Sequence, residues 1–220
     1  MKEYHKIQTL FLRDPETKHK TLIDGKYSHE AFEYLAGCQW EWTEKVDGTN
    51  IRVMWDGDRV WFGGKTDRAQ IPARLVAYLQ KKFTPDSMRR VFSQDTSDGG
   101  SVPSVCLYGE GYGAGIQKGG GDYSSEQKFV LFDVSIDGWW LRRGDVEDIA
   151  SKLSIDVVPI VGVGTLHEMV DVVRDGFNSR WGDFKAEGIV ARPMVEMYTR
   201  AGNRIITKLK TKDFVCVPVA

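Results

Sequence analysis

The sequence predicts an α+β fold in which helices flank antiparallel sheets, because strand-type and helix-type patterns alternate along the chain. The strand pattern is clearest at residues 50–55, where side chains alternate in polarity before the strong turn formed by Asp56 and Gly57. Residues 58–62 then form the second, antiparallel strand, so this stretch predicts a β-hairpin. Further predicted strands lie at residues 105–108, 128–134, 157–163, 188–192 and 204–209.

Three helices are predicted from apolar residues that recur at helical spacing. The first begins at Pro72 and ends before Pro85, and the second covers residues 145–153. The third begins where Thr165 and Glu168 match a capping box. A polar segment at residues 93–104, rich in Ser, Asp and Gly, is predicted to be a loop.

Composition and charge narrow the class of protein. The 220 residues are 41% hydrophobic, which is enough for a sizeable core, and no Pro- or Ser-rich linker divides them, so we predict one domain over residues 1–220. No apolar run approaches the roughly 20 residues of a membrane span, and no signal-peptide core is present, so a cytoplasmic protein without a membrane partner is expected. The net charge of −1 implies that any nucleic-acid binding is local.

The cysteines and histidines have no metal-binding spacing. Cys38, Cys106 and Cys216 are widely separated and odd in number, so neither a disulfide framework nor a zinc site is indicated. We expect three reduced, packed thiols. The four histidines likewise lack HExxH or HxH spacing.

Two lysines near the end of the chain indicate phosphate chemistry. Side chains alternate across a strand, so Lys208 and Lys210 point the same way while Leu209 faces the core. Lys45 offers a third amine, followed by a turn at Asp47 that could present it to a bound phosphate. Three amines around one pocket suit a phosphate-rich nucleotide. A lysine attacks an electrophile only as the free amine, a form that burial and neighbouring positive charge favour.

Five short segments occur in a recognisable order. They are EKVDGTN at 44–50, LYGEG at 107–111, FVLFDV at 129–134, AEGIV at 186–190 and ITKLK at 206–210. They resemble motifs I, III, IIIa, IV and V of the covalent nucleotidyltransferase superfamily of polynucleotide ligases and capping enzymes. The chain most closely resembles the ATP-dependent phage RNA ligases of the second family, from about residue 39 to residue 214. The resemblance implies their nucleotidyltransferase (adenylyltransferase) fold, which is ATP-grasp-like.

A sixth segment, FGGKTDR at residues 62–68, departs from the family pattern. The family usually carries an arginine where Lys65 stands, so Lys65 and Arg68 are alternative candidates for engaging phosphate. Asp47 stands where this family often has a histidine, although it matches the wider superfamily.

The resemblance implies a covalent mechanism for the lysines. Lys45 would attack the α-phosphate of ATP, forming a lysyl-AMP phosphoramidate and releasing pyrophosphate. Lys208 and Lys210 would neutralise charge on the phosphates. Glu187 would help to hold Mg²⁺, with Mn²⁺ as an alternative metal.

The resemblance also implies a set of residues that bind the nucleotide. Glu110 would accept hydrogen bonds from the ribose hydroxyls, and Phe132 would stack on adenine. Glu44, Asn50 and Asp133 would be supporting polar groups.

Each of these assignments has a structural alternative. Phe132 could be plain core, Glu110 a solvated loop acid and Glu187 a turn residue. The glycines of residues 109–121 suggest a phosphate-binding loop, but they lack the Gly-Lys-Ser/Thr ending of a P-loop and no amphipathic helix follows. We therefore expect Glu110 to end a strand.

Only ten residues follow the motif V segment, so we expect no OB-fold and no helical C-terminal domain. A partner chain could replace such a module. Arg142, Arg143 and Lys212 are candidates for contacts to a nucleic-acid backbone, with solvated surface as the alternative.

The leading hypothesis is an ATP- and Mg²⁺-dependent RNA ligase that transfers AMP to a 5′-phosphate and joins that end to a 3′-hydroxyl. DNA or hybrid ends are alternative substrates. A minimal DNA ligase and a capping-type guanylyltransferase are alternative enzymes. A non-catalytic nucleotide-binding module is the alternative of another class, although a pure binder needs no nucleophile such as Lys45.

Overall fold

A computed structural model describes residues 3–93 and 103–214, and these residues form an α+β architecture with mainly antiparallel sheets, as predicted. The strands are β1 (Gln8–Thr9), β2 (Phe11–Arg13), β3 (Leu22–Tyr27), β4 (Trp40–Glu44), β5 (Thr49–Trp55), β6 (Val60–Gly63), β7 (Val105–Tyr112), β8 (Lys128–Ile136), β9 (Trp139–Trp140), β10 (Asp156–Val157), β11 (Ile160–Gly164), β12 (Gly188–Pro193) and β13 (Thr207–Lys210). The helices are α1 (Glu30–Tyr34), α2 (Ala73–Lys82), α3 (Pro85–Phe92), α4 (Gly120–Tyr123), α5 (Arg143–Leu153) and α6 (Leu166–Asp175), and a 3₁₀ turn covers Thr211–Asp213.

The described residues fall into two compact units. The first unit contains the N-terminal segment through His5 together with Asp47–Val158, and the second contains Lys6–Val46 together with the chain from Pro159 onward. The single domain expected over residues 1–220 stays a prediction.

The first unit is built on a six-stranded sheet with the order β10-β8-β7-β5-β6, and β9 pairs with β8. The predicted hairpin of β5 and β6 is confirmed. β7 is longer than predicted and runs two residues beyond Glu110. Glycine makes this possible at Gly109, where a Cβ atom would lie 2.2 Å from the ring of Phe129 on β8.

Helices α2, α3 and α5 supply the apolar side chains that cover one face of this sheet. The predicted first helix is confirmed, since α2 buries Leu75 and Leu79 completely. Pro85 lies beyond the end of α2, as predicted, and it also opens a further helix, α3, which Thr84 caps. Proline suits that place, because the first helical N–H has no partner within a helix.

The second unit contains a five-stranded sheet with the order β1-β13-β12-β4-β11, and a separate pair formed by β2 and β3. Its core brings α1 and α6 against the sheet around Trp40 and Ile189, both fully buried. The predicted capping box is confirmed, since Thr165 accepts from the Glu168 backbone and Glu168 accepts from the Thr165 backbone.

The prediction of one buried strand over residues 157–163 is wrong. β10 ends at Val157 in the first unit, and β11 begins at Ile160 in the second unit. Pro159 separates them, and proline cannot donate the backbone hydrogen bond that a continuous central strand requires. β11 lies at a sheet edge, with Val163 about half exposed.

The cysteines differ in environment. Cys106 is buried, and burial raises the pKa of its thiol to about 11, whereas Cys38 is exposed and so is not a packed thiol. Cys216 and most of the predicted loop at residues 93–104 lie outside the described residues. None of the helices within residues 3–93 and 103–214 combines the length and the apolar character that crossing a membrane requires.

Candidate functional site

Lys45, Glu187 and Lys210 meet in the second unit. The Nζ atom of Lys45 lies 2.5 Å from Oε2 of Glu187, and the Nζ atom of Lys210 lies 2.6 Å from Oε1 of the same carboxylate. The side chains of both lysines are 21% exposed and that of Glu187 is 12% exposed, so the group is reachable but largely enclosed. One carboxylate therefore stands between two ammonium groups, and the cluster keeps a net positive charge.

Backbone hydrogen bonds of neighbouring strands bring these residues together. The Lys45 N–H donates to the carbonyl of Gly188 at 2.9 Å, directly after β4 ends. The Thr211 N–H donates to the carbonyl of Glu187 at 2.9 Å, and Gly188 pairs with Lys210 across β12 and β13. Glu187 is thus a residue held at the start of β12 rather than an isolated turn residue.

Strand β13 has the predicted alternation. Thr207 and Leu209 are fully buried, while Lys208 and Lys210 are partly exposed on the opposite face. Gly188 lets β12 approach this strand, because a Cβ atom there would lie 2.1 Å from the carbonyl oxygen of Leu209. Glycine also tolerates the positive φ of 156° at this position.

Glu44 turns away from the lysines and anchors a loop. Its carboxylate accepts from the Ser179 hydroxyl at 2.6 Å and from the Arg180 N–H at 2.8 Å. It is 1% exposed, and burial raises the pKa of this carboxyl, although both hydrogen bonds act in the opposite direction. These contacts give Glu44 a structural role in holding the segment that leads to Glu187, and its nucleotide-binding role stays a prediction.

In the first unit, the predicted polar residues gather on one face of the sheet. Asn50 on β5 lies opposite Glu110 on β7, and Tyr108 on β7 lies opposite Asp133 on β8. Glu110 is a half-buried strand residue, so the alternative of a loop acid is wrong. The Oδ1 atom of Asn50 is buried and has no hydrogen-bond partner among the described residues, which suits a group that awaits a ligand.

A β-bulge places two consecutive candidates on this face. Tyr108 pairs with Asp133 and Gly109 pairs with Leu131, so Phe132 is the extra residue in β8. In a regular strand Phe132 and Asp133 would point to opposite faces. Here Phe132 is partly buried and packs with Tyr108 in a small apolar cluster apart from the main core of the unit, so its stacking on adenine stays a prediction.

Tyr4 is a member of this group that the sequence analysis missed. Its hydroxyl donates to Oδ2 of Asp133 at 2.7 Å, and its ring lies edge-on to Phe132 with 5.0 Å between centroids. Nothing in the local sequence indicates this contact, because 129 positions separate Tyr4 from Asp133. Ser179 was missed for the same reason, since it lies 135 positions from Glu44.

The remaining cationic candidates differ in their surroundings. Lys65 and Arg68 lie in an exposed loop after β6, and neither side chain has an ion pair with another described residue. Arg143 donates to Glu147 at 2.7 Å and to a backbone carbonyl at 2.8 Å, so it is engaged at the start of α5. Arg142 and Lys212 are exposed, and their contact with nucleic acid stays a prediction.

A metal site would have to rely on few protein ligands. Within the described part of the chain, no three His, Cys, Asp or Glu side chains cluster as ligands. Mg²⁺ often uses one or two carboxylates together with water and substrate phosphates, so a single carboxylate fits that ion. Glu187 is such a carboxylate, and it stands beside the lysines expected to meet phosphate.

Comparison with known proteins supports the fold. A model of the RNA ligase family matches residues 39–210. A mutant of Naegleria gruberi RNA ligase with AMP and Mn is similar, with a TM-score of 0.62 and 17% identity over 82% of this chain and 52% of that chain. Another mutant of that ligase, with ATP and Mn, has a TM-score of 0.63 and 18% identity over 84% of this chain and 54% of that chain.

The same Naegleria gruberi ligase with PPi gives a TM-score of 0.61 and 18% identity, over 82% of this chain and 52% of that chain. The chain therefore spans about half the length of these ligases. At this level of identity the likeness concerns the fold, and it confirms the nucleotidyltransferase fold that the motifs imply.

The hydrogen bond from Tyr4 to Asp133 can be tested by Tyr4→Phe. We expect the free energy of unfolding to fall by about 1–3 kcal/mol, because a buried carboxylate that is 1% exposed loses a donor. Urea unfolding measures the change. Tyr34→Phe is the matched control. Tyr34 is 88% exposed, so this change should lower the free energy of unfolding by no more than about 0.5 kcal/mol. Equal losses in the two variants would contradict the assignment.

The burial of Glu44 can be tested by Glu44→Gln across pH. Because the pKa of Glu44 is raised in the folded state, its contribution to stability is present at acid pH and lost as the pH rises through that value. Glutamine cannot ionise, so we expect Glu44→Gln to gain stability relative to wild type as the pH rises above the ordinary titration range of glutamate.

Urea unfolding at several pH values measures this difference, with Glu30→Gln on the exposed start of α1 as the control. A difference in unfolding free energy between Glu44→Gln and wild type that does not change with pH would refute the explanation.

Proposed function

Because the chain belongs to the RNA ligase family, we propose that it is an ATP-dependent RNA ligase that acts through a covalent lysyl-AMP intermediate. The observation that carries the proposal is the cluster of Lys45, Glu187 and Lys210. It combines a candidate nucleophile, a carboxylate and a second cation within hydrogen-bonding distance. These three residues come from the motif I, IV and V segments of the sequence.

In the first step, the Nζ atom of Lys45 attacks the α-phosphorus of ATP. A nitrogen–phosphorus bond forms, the bond from that phosphorus to the bridging oxygen of the β-phosphate breaks, and pyrophosphate leaves with the electron pair. The attacking amine must first lose a proton. Oε2 of Glu187, 2.5 Å from Nζ, is one acceptor within reach.

Positive charge around the reacting phosphates lowers the barrier. The Nζ atom of Lys210 contacts the other carboxylate oxygen of Glu187, and the side chain of Lys208 lies on the same face of β13 as that of Lys210. Ammonium groups held in place before the reaction stabilise charge that develops in the transition state. Glu187 is also the residue proposed to hold Mg²⁺ or Mn²⁺, which would supply further charge neutralisation at the phosphates.

Most of the residues proposed to bind the nucleotide lie on one face of the first unit's sheet. Glu110 would accept from the ribose hydroxyls, Phe132 would stack on adenine, and Asn50 and Asp133 would support them. The buried Oδ1 atom of Asn50, which lacks a partner among the described residues, supports this assignment. Lys65 or Arg68 would engage phosphate; both are exposed.

Two further steps complete the proposed reaction. AMP passes from Lys45 to the 5′-phosphate of an RNA end, which frees the lysine and leaves an activated 5′-5′ pyrophosphate linkage. A 3′-hydroxyl then attacks that 5′-phosphate, a phosphodiester forms, and AMP leaves. RNA is the substrate that the family favours, while a cytoplasmic location and a partner chain that adds RNA contacts are further proposals.

Intact-mass analysis tests the first step. We expect wild-type protein incubated with ATP and Mg²⁺ to gain the mass of AMP, and Lys45→Ala to gain nothing, because alanine has no amine. Lys152→Ala is the control, since Lys152 is exposed on α5 and its ion pair is with Asp148 of the same helix. This control should form the adduct as wild type does.

Parallel incubation with GTP separates a ligase from a capping enzyme. An adduct with GTP alone would favour a guanylyltransferase, and the joining of DNA ends in preference to RNA ends would favour a DNA ligase. The absence of any adduct in folded protein shown to carry no prior AMP would leave the non-catalytic nucleotide-binding module.

A further inference from the structure

Arg52 is a fully buried arginine in the middle of β5. Its Nε atom donates to the carbonyl of Gly64 at 2.9 Å, and its Nη2 atom donates to Oδ1 of Asp67 at 2.7 Å. Both acceptors belong to the segment that follows β6, here called the β6 loop (residues 64–69). The guanidinium therefore joins the sheet to this loop.

Packing alone does not explain an arginine at this position. A buried charge is costly unless it is paired, and a buried ion pair is often no more stabilising than apolar residues of similar size. The Asp67 side chain is 82% exposed, so the negative partner of Arg52 lies largely in solvent. We therefore infer that the contact fixes the conformation of the loop and adds little to the stability of the core.

The local sequence makes room for this contact. A Cβ atom at Gly63 would lie 2.9 Å from Nη2 of Arg52, so a glycine lets the guanidinium pass the end of β6. Within the loop the Ala69 N–H donates to the carbonyl of Thr66 at 3.1 Å, which forms a turn. The Asp67 N–H also donates to Oε1 of Glu3 at 3.3 Å.

The β6 loop carries the two cations whose roles the sequence leaves as alternatives. Lys65 and Arg68 flank Asp67, and residues 65–70 are all exposed. Apolar packing therefore contributes little to the conformation of this loop, and the bonds from Arg52 are its principal link to the sheet.

We propose that Arg52 is a positioning residue, whose ion pair with Asp67 holds the β6 loop in the conformation in which Lys65 and Arg68 engage the phosphates of ATP. This inference rests on the proposed function and extends it to residues outside the five motif segments that match the superfamily. Arg52 acts through the loop and does not touch the nucleotide. A guanidinium suits this task, because its donors are fixed in one plane, so that Nε and Nη2 restrict the direction of two separate acceptors.

Asp67→Ala tests the proposal by truncating an exposed side chain, and because it leaves the buried Arg52 without its carboxylate partner, circular dichroism first confirms that the variant is folded. We expect the KM for ATP in self-adenylylation to rise about tenfold, because small displacements of phosphate-binding groups are costly, while kcat changes less. Asp58→Ala is the matched control, since it removes the same charge from an exposed position in the hairpin turn before β6 and should keep the wild-type KM. A purely structural role would lower the folded fraction and leave KM unchanged.

Hydrogen exchange supplies a readout that does not depend on activity. Measured by mass spectrometry without ATP, the amides of residues 64–69 should exchange faster in Asp67→Ala than in wild type or Asp58→Ala. Faster exchange with an unchanged KM would overturn the positioning role, and unchanged exchange would overturn the link between Arg52 and the loop. Failure of the proposed function appears differently, as the lack of any AMP adduct in wild-type protein.

Arg52→Lys tests the same contact by changing its other partner. Lysine keeps the charge but cannot donate to both acceptors in the fork geometry of arginine, so the KM for ATP should rise as in Asp67→Ala. The double variant should raise KM no further than the larger single change, because both remove the same contact. Independent, multiplying effects of the two changes would overturn the proposal, with circular dichroism confirming that each variant is folded.

Discussion

The carboxylate of Glu187 between the amines of Lys45 and Lys210 is the interaction on which the proposed chemistry depends. It exists because β12 lies between β4 and β13 in one sheet, so the residue after β4, the residue before β12 and the last residue of β13 converge. The glycine at position 188 keeps these strands close, and the loop before Glu187 is tied down by the buried Glu44. The strand order, Gly188 and Glu44 therefore all help to hold the carboxylate of Glu187 in place.

The sheet of the first unit carries the residues that are proposed to bind the nucleotide. One face is covered by α2, α3 and α5, which leaves the other face free to carry polar side chains. On that face Asn50 lies opposite Glu110, and the bulge at Phe132 brings an aromatic ring and the acid that follows it to the same side. The buried Arg52 extends the same arrangement to the loop after β6. The buried polar groups here have specific partners, since Asp133 accepts from Tyr4 and Arg52 donates to Gly64 and Asp67, while Oδ1 of Asn50 has none among the described residues.

Local patterns accounted for much of the fold. The β5–β6 hairpin, helix α2, the capping box of α6 and the alternation of Lys208 and Lys210 follow from turn chemistry and side-chain period, which depend on residues close in sequence. The N-terminal strands and α3 were missed, and Pro159 was wrongly placed within a strand. In these cases a short or ambiguous pattern is decided by packing against distant residues, which no local window contains.

By itself, the sequence determined the order of the motifs, the identity of the candidate nucleophile and the family to which the chain belongs, because these depend on residue type and spacing. Only the tertiary structure decided that Glu187 pairs with both Lys45 and Lys210, that Glu44 faces Ser179, and that Tyr4 and Arg52 join the polar face of the first unit's sheet. These contacts join residues up to 142 positions apart. Strand register, a β-bulge and the burial of charge set them, and each is a property of the folded chain that no local stretch of sequence encodes.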